Sequence, residues 1–107
     1  MTDTFGNLGQ VQPSAGVLTT LYQPGVQAVI SSVVICNAGP STSRFSLSYA
    51  LGAALDVTKQ YLYYNTVIPP NQTFVATIGI TMPKGDMLRC YSDTGLVSFN
   101  VFGDEVA

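Results

Sequence analysis

Few side chains in this sequence could do chemistry. The chain has no histidine, the residue used most often as a general base, as the partner of a nucleophilic serine or cysteine, and as a metal ligand. Its two cysteines, Cys36 and Cys90, lie in separate apolar segments. Two such residues cannot complete a zinc site without further ligands. We therefore assign no catalytic, cofactor-binding or metal-binding residue and no cofactor.

One triplet, Asp93-Thr94-Gly95, matches the active-site turn of aspartic proteases. In dimeric enzymes of that class each chain supplies one Asp, and the two share a proton because two close carboxylates cannot both ionise. Here the triplet lies near the C-terminus, with only residues 96–107 after it, which leaves little room for flaps and further strands. We expect a hairpin turn, filled by these residues for conformational reasons. The protease stays an alternative, and the protein is expected not to be an enzyme.

The two cysteines are expected to be buried free thiols that behave as small hydrophobic side chains. The alternative is a disulfide between the two sheets, which would form if their strands faced each other as in immunoglobulin domains.

Composition restricts the possible partners. Apolar residues make up 47% of the chain and charged residues 9%, whereas an average domain has about 25% charged residues. A surface with so little charge is either uncharged and polar or buried against partners. The only cations, Arg44, Lys59, Lys84 and Arg89, are scattered, so we expect no nucleic-acid partner. No secretory signal and no membrane-spanning segment are evident, which predicts a protein of the cytoplasm or of a particle assembled there.

Apolar and polar residues alternate over most of the chain, which is typical of half-buried antiparallel strands. The longest apolar segment, residues 27–37, predicts a central strand. Turn residues such as Pro24-Gly25 and Pro69-Pro70-Asn71 separate the segments. We predict an all-β, antiparallel β-sandwich, jelly-roll or immunoglobulin-like, with seven to eight strands. The predicted strands are 16–22, 27–37, 44–51, 61–68, 72–80, 87–91 and 96–102, with 8–12 pairing at an edge.

The pattern also predicts the domain organisation. Residues 52–59 do not alternate, and their alanine and leucine content predicts a short helical turn. Residues 1–12 are expected to form a flexible N-terminal arm, or an arm that docks on a neighbour. Residues 13–107 are expected to form one sandwich domain.

Aromatic residues provide the candidate interface. In Tyr61-Leu62-Tyr63-Tyr64 the aromatic groups must face both sides of one strand, and tyrosine is favoured at interfaces. We therefore predict interface contacts through Tyr61, Tyr63, Tyr64 and, in the arm, Phe5 and Leu8. The alternative is that Tyr61 and Tyr63 pack under the 52–59 connection.

Over residues 17–103 the sequence resembles a small β-sandwich module of tailed bacteriophages. The motifs that carry the likeness are structural: Leu21-Tyr22, Val33-Val34-Ile35-Cys36-Asn37, Tyr61-Leu62-Tyr63-Tyr64, Thr73-Phe74, Gly79-Ile80-Thr81 and Ser98-Phe99-Asn100-Val101-Phe102-Gly103.

The resemblance implies a virion structural protein. It would be a capsid decoration (cement) protein, assembled in the host cytoplasm, that binds the major capsid protein as a homo-oligomer, with a trimer favoured, and stabilises the head shell. The alternative is a tail or fibre module that binds host-surface carbohydrate.

Overall fold

The computed structural model describes residues 4–55 and 57–106. Within these residues the chain forms nine strands and two short 3-10 turns, Leu51–Ala53 and Thr58–Gln60. In place of the single helical turn expected over residues 52–59, the two 3-10 turns lie at the ends of this connection, and Gly52 in the first has a non-helical φ of 58°. The strands are β1 (Thr4–Val11), β2 (Thr19–Tyr22), β3 (Gln27–Asn37), β4 (Ser43–Ala50), β5 (Tyr61–Ile68), β6 (Thr73–Ala76), β7 (Ile80–Met82), β8 (Met87–Ser92) and β9 (Val97–Val106).

The strands form two antiparallel sheets that pack face to face. Sheet I has the order β1-β9-β3-β6, and β7 pairs with the same edge of β3 as β6 does. Sheet II has the order β2-β8-β4-β5. If β6 and β7 count as one interrupted strand, the chain alternates between sheets at every step except from β4 to β5. Eight strand positions connected in this way form a jelly roll. The sandwich prediction is confirmed, and the topology selects the jelly-roll alternative.

The core lies between the sheets because alternate side chains of each strand point inward. In β3 the inward positions, including Ile30, Val33 and Ile35, are fully buried, as are Leu47 and Leu88 of sheet II. The other large, fully buried side chains are Phe45, Phe99, Ile68, Met82, Val97, Val101 and Asn37.

Buried Asn37 forms hydrogen bonds with the β3–β4 connection and with the end of β5, at one end of the core. Its side-chain amide donates hydrogen bonds to the carbonyl oxygens of Ser41 (2.9 Å), Ile68 (3.1 Å) and Pro69 (3.2 Å), and its Oδ1 accepts one from the N–H of Gly39 (3.0 Å). A buried amide needs such partners, because an unsatisfied polar group in the core is costly.

Residues 4–11, which were expected in an N-terminal arm, form the edge strand β1 of sheet I. They pair with β9 from Thr4 opposite Glu105 to Val11 opposite Phe99. Gln12 continues this attachment, since its amide donates a hydrogen bond to the Gly95 carbonyl at 2.6 Å. Residues 1–3 of the expected arm lie outside the described residues.

The strand predicted over 72–80 is divided. Residues of β6 pair with Val33–Cys36 of β3, and residues of β7 pair with Ala28–Ile30. Two residues of β3, Ser31 and Ser32, lie between these ladders, opposite three residues (77–79) of the partner. The mismatch coincides with a register shift between β3 and β9. The ladder therefore breaks at 77–79 even though the alternation of side chains continues.

The two cysteines are free thiols on different sides of their sheets. Cys90 of β8 is fully buried in the core. Cys36 of β3 pairs with Ser98 of β9, points to the outer side of sheet I and is half-buried. The expectation of free thiols is therefore confirmed for both, but the burial expected for Cys36 is wrong. Since only Cys90 points toward the opposite sheet, the immunoglobulin-type disulfide does not form.

This difference predicts selective alkylation. Burial raises the pKa of the Cys90 thiol to about 12 and keeps reagents away from it. Iodoacetamide at neutral pH should therefore label Cys36 in the native protein and reach Cys90 only after denaturation. Peptide mass spectrometry reads out the two sites. Equal labelling of both thiols in native protein, or an intramolecular disulfide, would contradict this arrangement.

Candidate functional site

The Asp93-Thr94-Gly95 triplet connects the two sheets. β8 belongs to sheet II and β9 to sheet I, so the expected hairpin turn is wrong. Asp93 accepts a hydrogen bond from the Arg44 N–H at 2.8 Å through Oδ1, and its own N–H donates to the Arg44 carbonyl at 3.1 Å. The Thr94 and Ser43 hydroxyls are 2.6 Å apart. These contacts hold the triplet against the start of β4. The triplet is therefore a connection at which the chain crosses from one sheet to the other.

The five predicted interface residues lie on two different sheets. Phe5 and Leu8 belong to β1 of sheet I, and Tyr61, Tyr63 and Tyr64 to β5 of sheet II. The structure therefore does not bring the five residues together into one surface.

Two of the five are turned toward the core. Leu8 packs against core side chains. Tyr63 packs against Phe45 and Phe74, with ring centroids 6.1 and 5.3 Å away. Tyr63 therefore lies among core rings rather than under the 52–59 connection. Phe5, Tyr61 and Tyr64 remain on outer faces.

The outer face of sheet I is broad and nearly uncharged. The side chains of cross-strand partners point to the same face of a sheet. Phe5, Asp104 and Val29 are such partners and form one row across this face. A second row consists of Gln10, Asn100, Val34 and Val75. No lysine or arginine occurs in the described strands of this sheet, and its acids are Asp104 and Glu105. Glu105 turns inward, where it accepts a hydrogen bond from the Tyr22 hydroxyl.

We call this surface the sheet I face. Four apolar side chains on it are largely exposed: Phe5 (72%), Val75 (55%), Val106 (42%) and Val29 (40%). The polar side chains between them are mostly amides and hydroxyls, and the Asn7 and Gln10 amides both donate to Asn100 Oδ1. Of these four residues only Phe5 was predicted from the sequence, because the other apolar side chains fit the alternating pattern of ordinary strands.

The outer face of sheet II carries a groove lined by three tyrosines. Its volume is about 310 Å³, and its lining residues are Ser46, Tyr61, Tyr64, Asn65 and Tyr91. The rings of Tyr61 and Tyr64 meet edge to face, with centroids 4.8 Å apart and planes at 67°. We call this the tyrosine groove.

A bulge in β5 positions one wall of the groove. Tyr63 pairs with Leu47 and Thr66 with Phe45, so Tyr64 and Asn65 together lie opposite the single residue Ser46. Asn65 has a positive φ of 52°. Its N–H donates a hydrogen bond to Ser46 Oγ at 2.9 Å, and its carbonyl accepts one from the Arg44 guanidinium at 3.2 Å. Tyr64 follows the inward-facing Tyr63, so alternation alone turns its ring outward, where it is 68% exposed. The extra residue interrupts the alternation, so that Asn65 lies on the same outer face.

A second cavity, of about 510 Å³, lies beside the 3-10 turns and has Tyr49, Leu51 and Leu62 in its lining. Asp86 fixes this region by accepting hydrogen bonds from the Tyr49 hydroxyl (2.6 Å) and the Gly52 N–H (2.8 Å). Burial, together with this bond to a carboxylate, raises the pKa of Tyr49 well above its usual range. These two hydrogen bonds satisfy the buried carboxylate of Asp86, whose role is therefore structural.

Within the described residues, no cluster of three or more Cys, Asp or Glu side chains could hold a metal ion. No helix in that part of the chain is long and apolar enough to span a membrane.

The comparisons with known proteins include a distant structural likeness. No family model and no curated protein matches the sequence. A solved structure, described as a pentameric capsid protein isolated from metagenomic phage sequences, is 15% identical with a TM-score of 0.43. The match covers 95% of this chain and 61% of the other, so the chain spans less than two thirds of that protein.

Proposed function

We propose that this chain is a virion structural protein of a tailed bacteriophage. It is a capsid decoration protein that binds the major capsid protein in the assembled head shell and acts without catalysis. The sheet I face carries the proposal, because it offers exposed apolar and amide side chains with no cation among its described residues. The resemblance over residues 17–103 supports the proposal, and the jelly roll agrees with it by analogy, since viral capsid domains use this fold.

The chemistry of the sheet I face suits a permanent contact. The centres of stable interfaces are depleted in charge and enriched in aromatic and apolar groups, because burying a charge without a partner is costly. Phe5, Val29 and Val75 can be covered at little desolvation cost, and the amides on this face can exchange water for partner hydrogen bonds. The Asp104 carboxylate between Phe5 and Val29 needs a hydrogen-bond donor from the partner.

Binding of this kind would stabilise a shell by mass action. A ligand that binds only the assembled state lowers its free energy by an amount that grows with ligand concentration and affinity. No chemical step is needed, and the absence of histidine is consistent with this function.

Protein stoichiometry in purified virions tests the proposal. Quantitative mass spectrometry should find this chain at a copy number comparable to that of the major capsid protein. A copy number in proportion to tail proteins would contradict the shell assignment and favour the tail or fibre alternative.

A pair of matched variants tests the sheet I face itself. Val75 of β6 and Val67 of β5 are both in edge strands, are 55% and 47% exposed, and lie on the outer faces of opposite sheets. Val75→Lys should abolish co-sedimentation with shells of the major capsid protein, because it places a charge within the contact. Val67→Lys should leave co-sedimentation unchanged. Equal binding by both variants would show that the sheet I face is not the contact.

The decoration protein is also proposed to be a symmetric homo-oligomer. A trimer remains a prediction, which the mass of the protein in solution and on the shell tests.

A further inference from the structure

We infer that the tyrosine groove on the outer face of sheet II binds a neutral saccharide. The Tyr61 and Tyr64 rings form a corner of two nearly perpendicular aromatic surfaces, and Tyr91 adds a third ring. The face of an aromatic ring carries partial negative charge. It therefore attracts the weakly positive C–H groups on the flat side of a sugar ring, whose hydroxyls point to the rim.

Polar groups suited to sugar hydroxyls surround these rings. Asn65 supplies an amide with a donor and an acceptor, and the hydroxyls of Ser46 and Tyr91 are part of the same lining. All five lining residues are uncharged. The groove therefore fits a neutral sugar better than an acidic one, which would need a cation in the lining.

The backbone at Asn65 shapes the groove. Asn65 has a left-handed conformation, which Asn adopts more readily than most other residues with a side chain. Together with the bulge, this conformation places Asn65 on the same face as Tyr64. A regular strand would direct the two side chains to opposite faces.

The position of the groove makes saccharide binding compatible with shell binding. Sheet I and sheet II form opposite sides of the sandwich. A molecule that contacts a shell through the sheet I face therefore presents the tyrosine groove to the surrounding medium.

An array of neutral and anionic glycans probed with the intact protein tests this site. We expect binding to neutral glycans. Titration of a bound glycan should then show Tyr64→Ala weaker by about tenfold or more, since a few residues carry most of the affinity of a binding surface and tyrosine is enriched among them. Tyr64→Phe, which keeps the ring, should retain most of the binding. Asn65→Gly, which keeps the backbone conformation and removes the amide, should weaken it.

Phe5→Ala is the matched control, because Phe5 is a similarly exposed aromatic residue on the opposite side (72% against 68% for Tyr64). It should not change saccharide affinity. Failure to bind any array glycan, exclusive binding to anionic glycans, or undiminished binding by Tyr64→Ala would each overturn the inference. Shell co-sedimentation of the same proteins tests the proposed function separately, because Tyr64→Ala should still bind shells.

Discussion

Replacing Phe45 with alanine should lower the free energy of unfolding by about 3–5 kcal/mol, the usual cost of removing a large aromatic side chain from a core. Phe45 is completely buried in β4. Its ring contacts Phe74 and Phe99 of sheet I and Tyr63 of sheet II, with centroid distances of 5.4, 6.1 and 6.1 Å. The substitution removes the ring that joins the two sheets and leaves a cavity between them.

Denaturation by urea, followed by circular dichroism, measures this loss. Phe5→Ala is the control, because this exposed side chain should change stability by no more than about 0.5 kcal/mol. Similar losses for the two variants would show that the ring cluster around Phe45 is not the centre of the core.

Gly103→Ala should be comparably damaging, at about 3 kcal/mol or more, the upper end of the cost of overpacking. Gly103 of β9 pairs with Ile30 of the central strand β3. A Cβ at this position would collide with the carbonyl oxygen of Val29 and lie 3.0 Å from the Ile30 Cα. Because both atoms belong to the backbone, no side-chain rotation can relieve the contact, and β9 must move away from β3.

Gly79→Ala is the matched control for this effect. Gly79 has open space where its Cβ would lie, and its φ is not in the left-handed region. Thermal unfolding should therefore show a melting temperature near that of the unmodified protein for Gly79→Ala and a large decrease for Gly103→Ala. A Gly103→Ala protein as stable as Gly79→Ala would mean that β9 and β3 do not pair in this register.

Much of the fold could be predicted from the sequence because most strands follow the alternation of side chains. The strands predicted over 27–37 and 61–68 match β3 and β5 in both bounds. The bounds of β3 could be predicted because its long apolar segment ends at Asn37, just before a turn that contains Gly39-Pro40. The choice between jelly-roll and immunoglobulin-like order could not be made, because alternation reports which face of a strand is buried but not which strands are neighbours.

The errors arise where pairing, rather than alternation, determines the structure. The 77–79 break comes from a mismatch with β3, and the crossing at Asp93 depends on β8 and β9 belonging to different sheets. Turn residues look the same in a hairpin and in a crossing. The second half of β3 is apolar at consecutive positions, which predicts a strand covered on both faces, so Cys36 was expected to be buried.

The candidate surfaces were only partly predictable for related reasons. The tyrosine-rich segment predicted exposed rings, but the bulge that places Asn65 beside Tyr64 depends on how β5 pairs with β4. No distinctive local sequence marks Tyr91 or Ser46 as groove residues. They line the groove because they are cross-strand partners in sheet II. Phe5 was identified from its type alone, while Val29 and Val75 required the sheet order.

An electron-microscopy map of the intact virion decides whether this chain is a decoration protein that binds through the sheet I face. The map should show density for this jelly roll on the head shell, with Phe5, Val29 and Val75 against the major capsid protein and Tyr64 facing outward. Density for the chain in the tail, or on the shell with the sheet I face turned to solvent, would contradict that assignment.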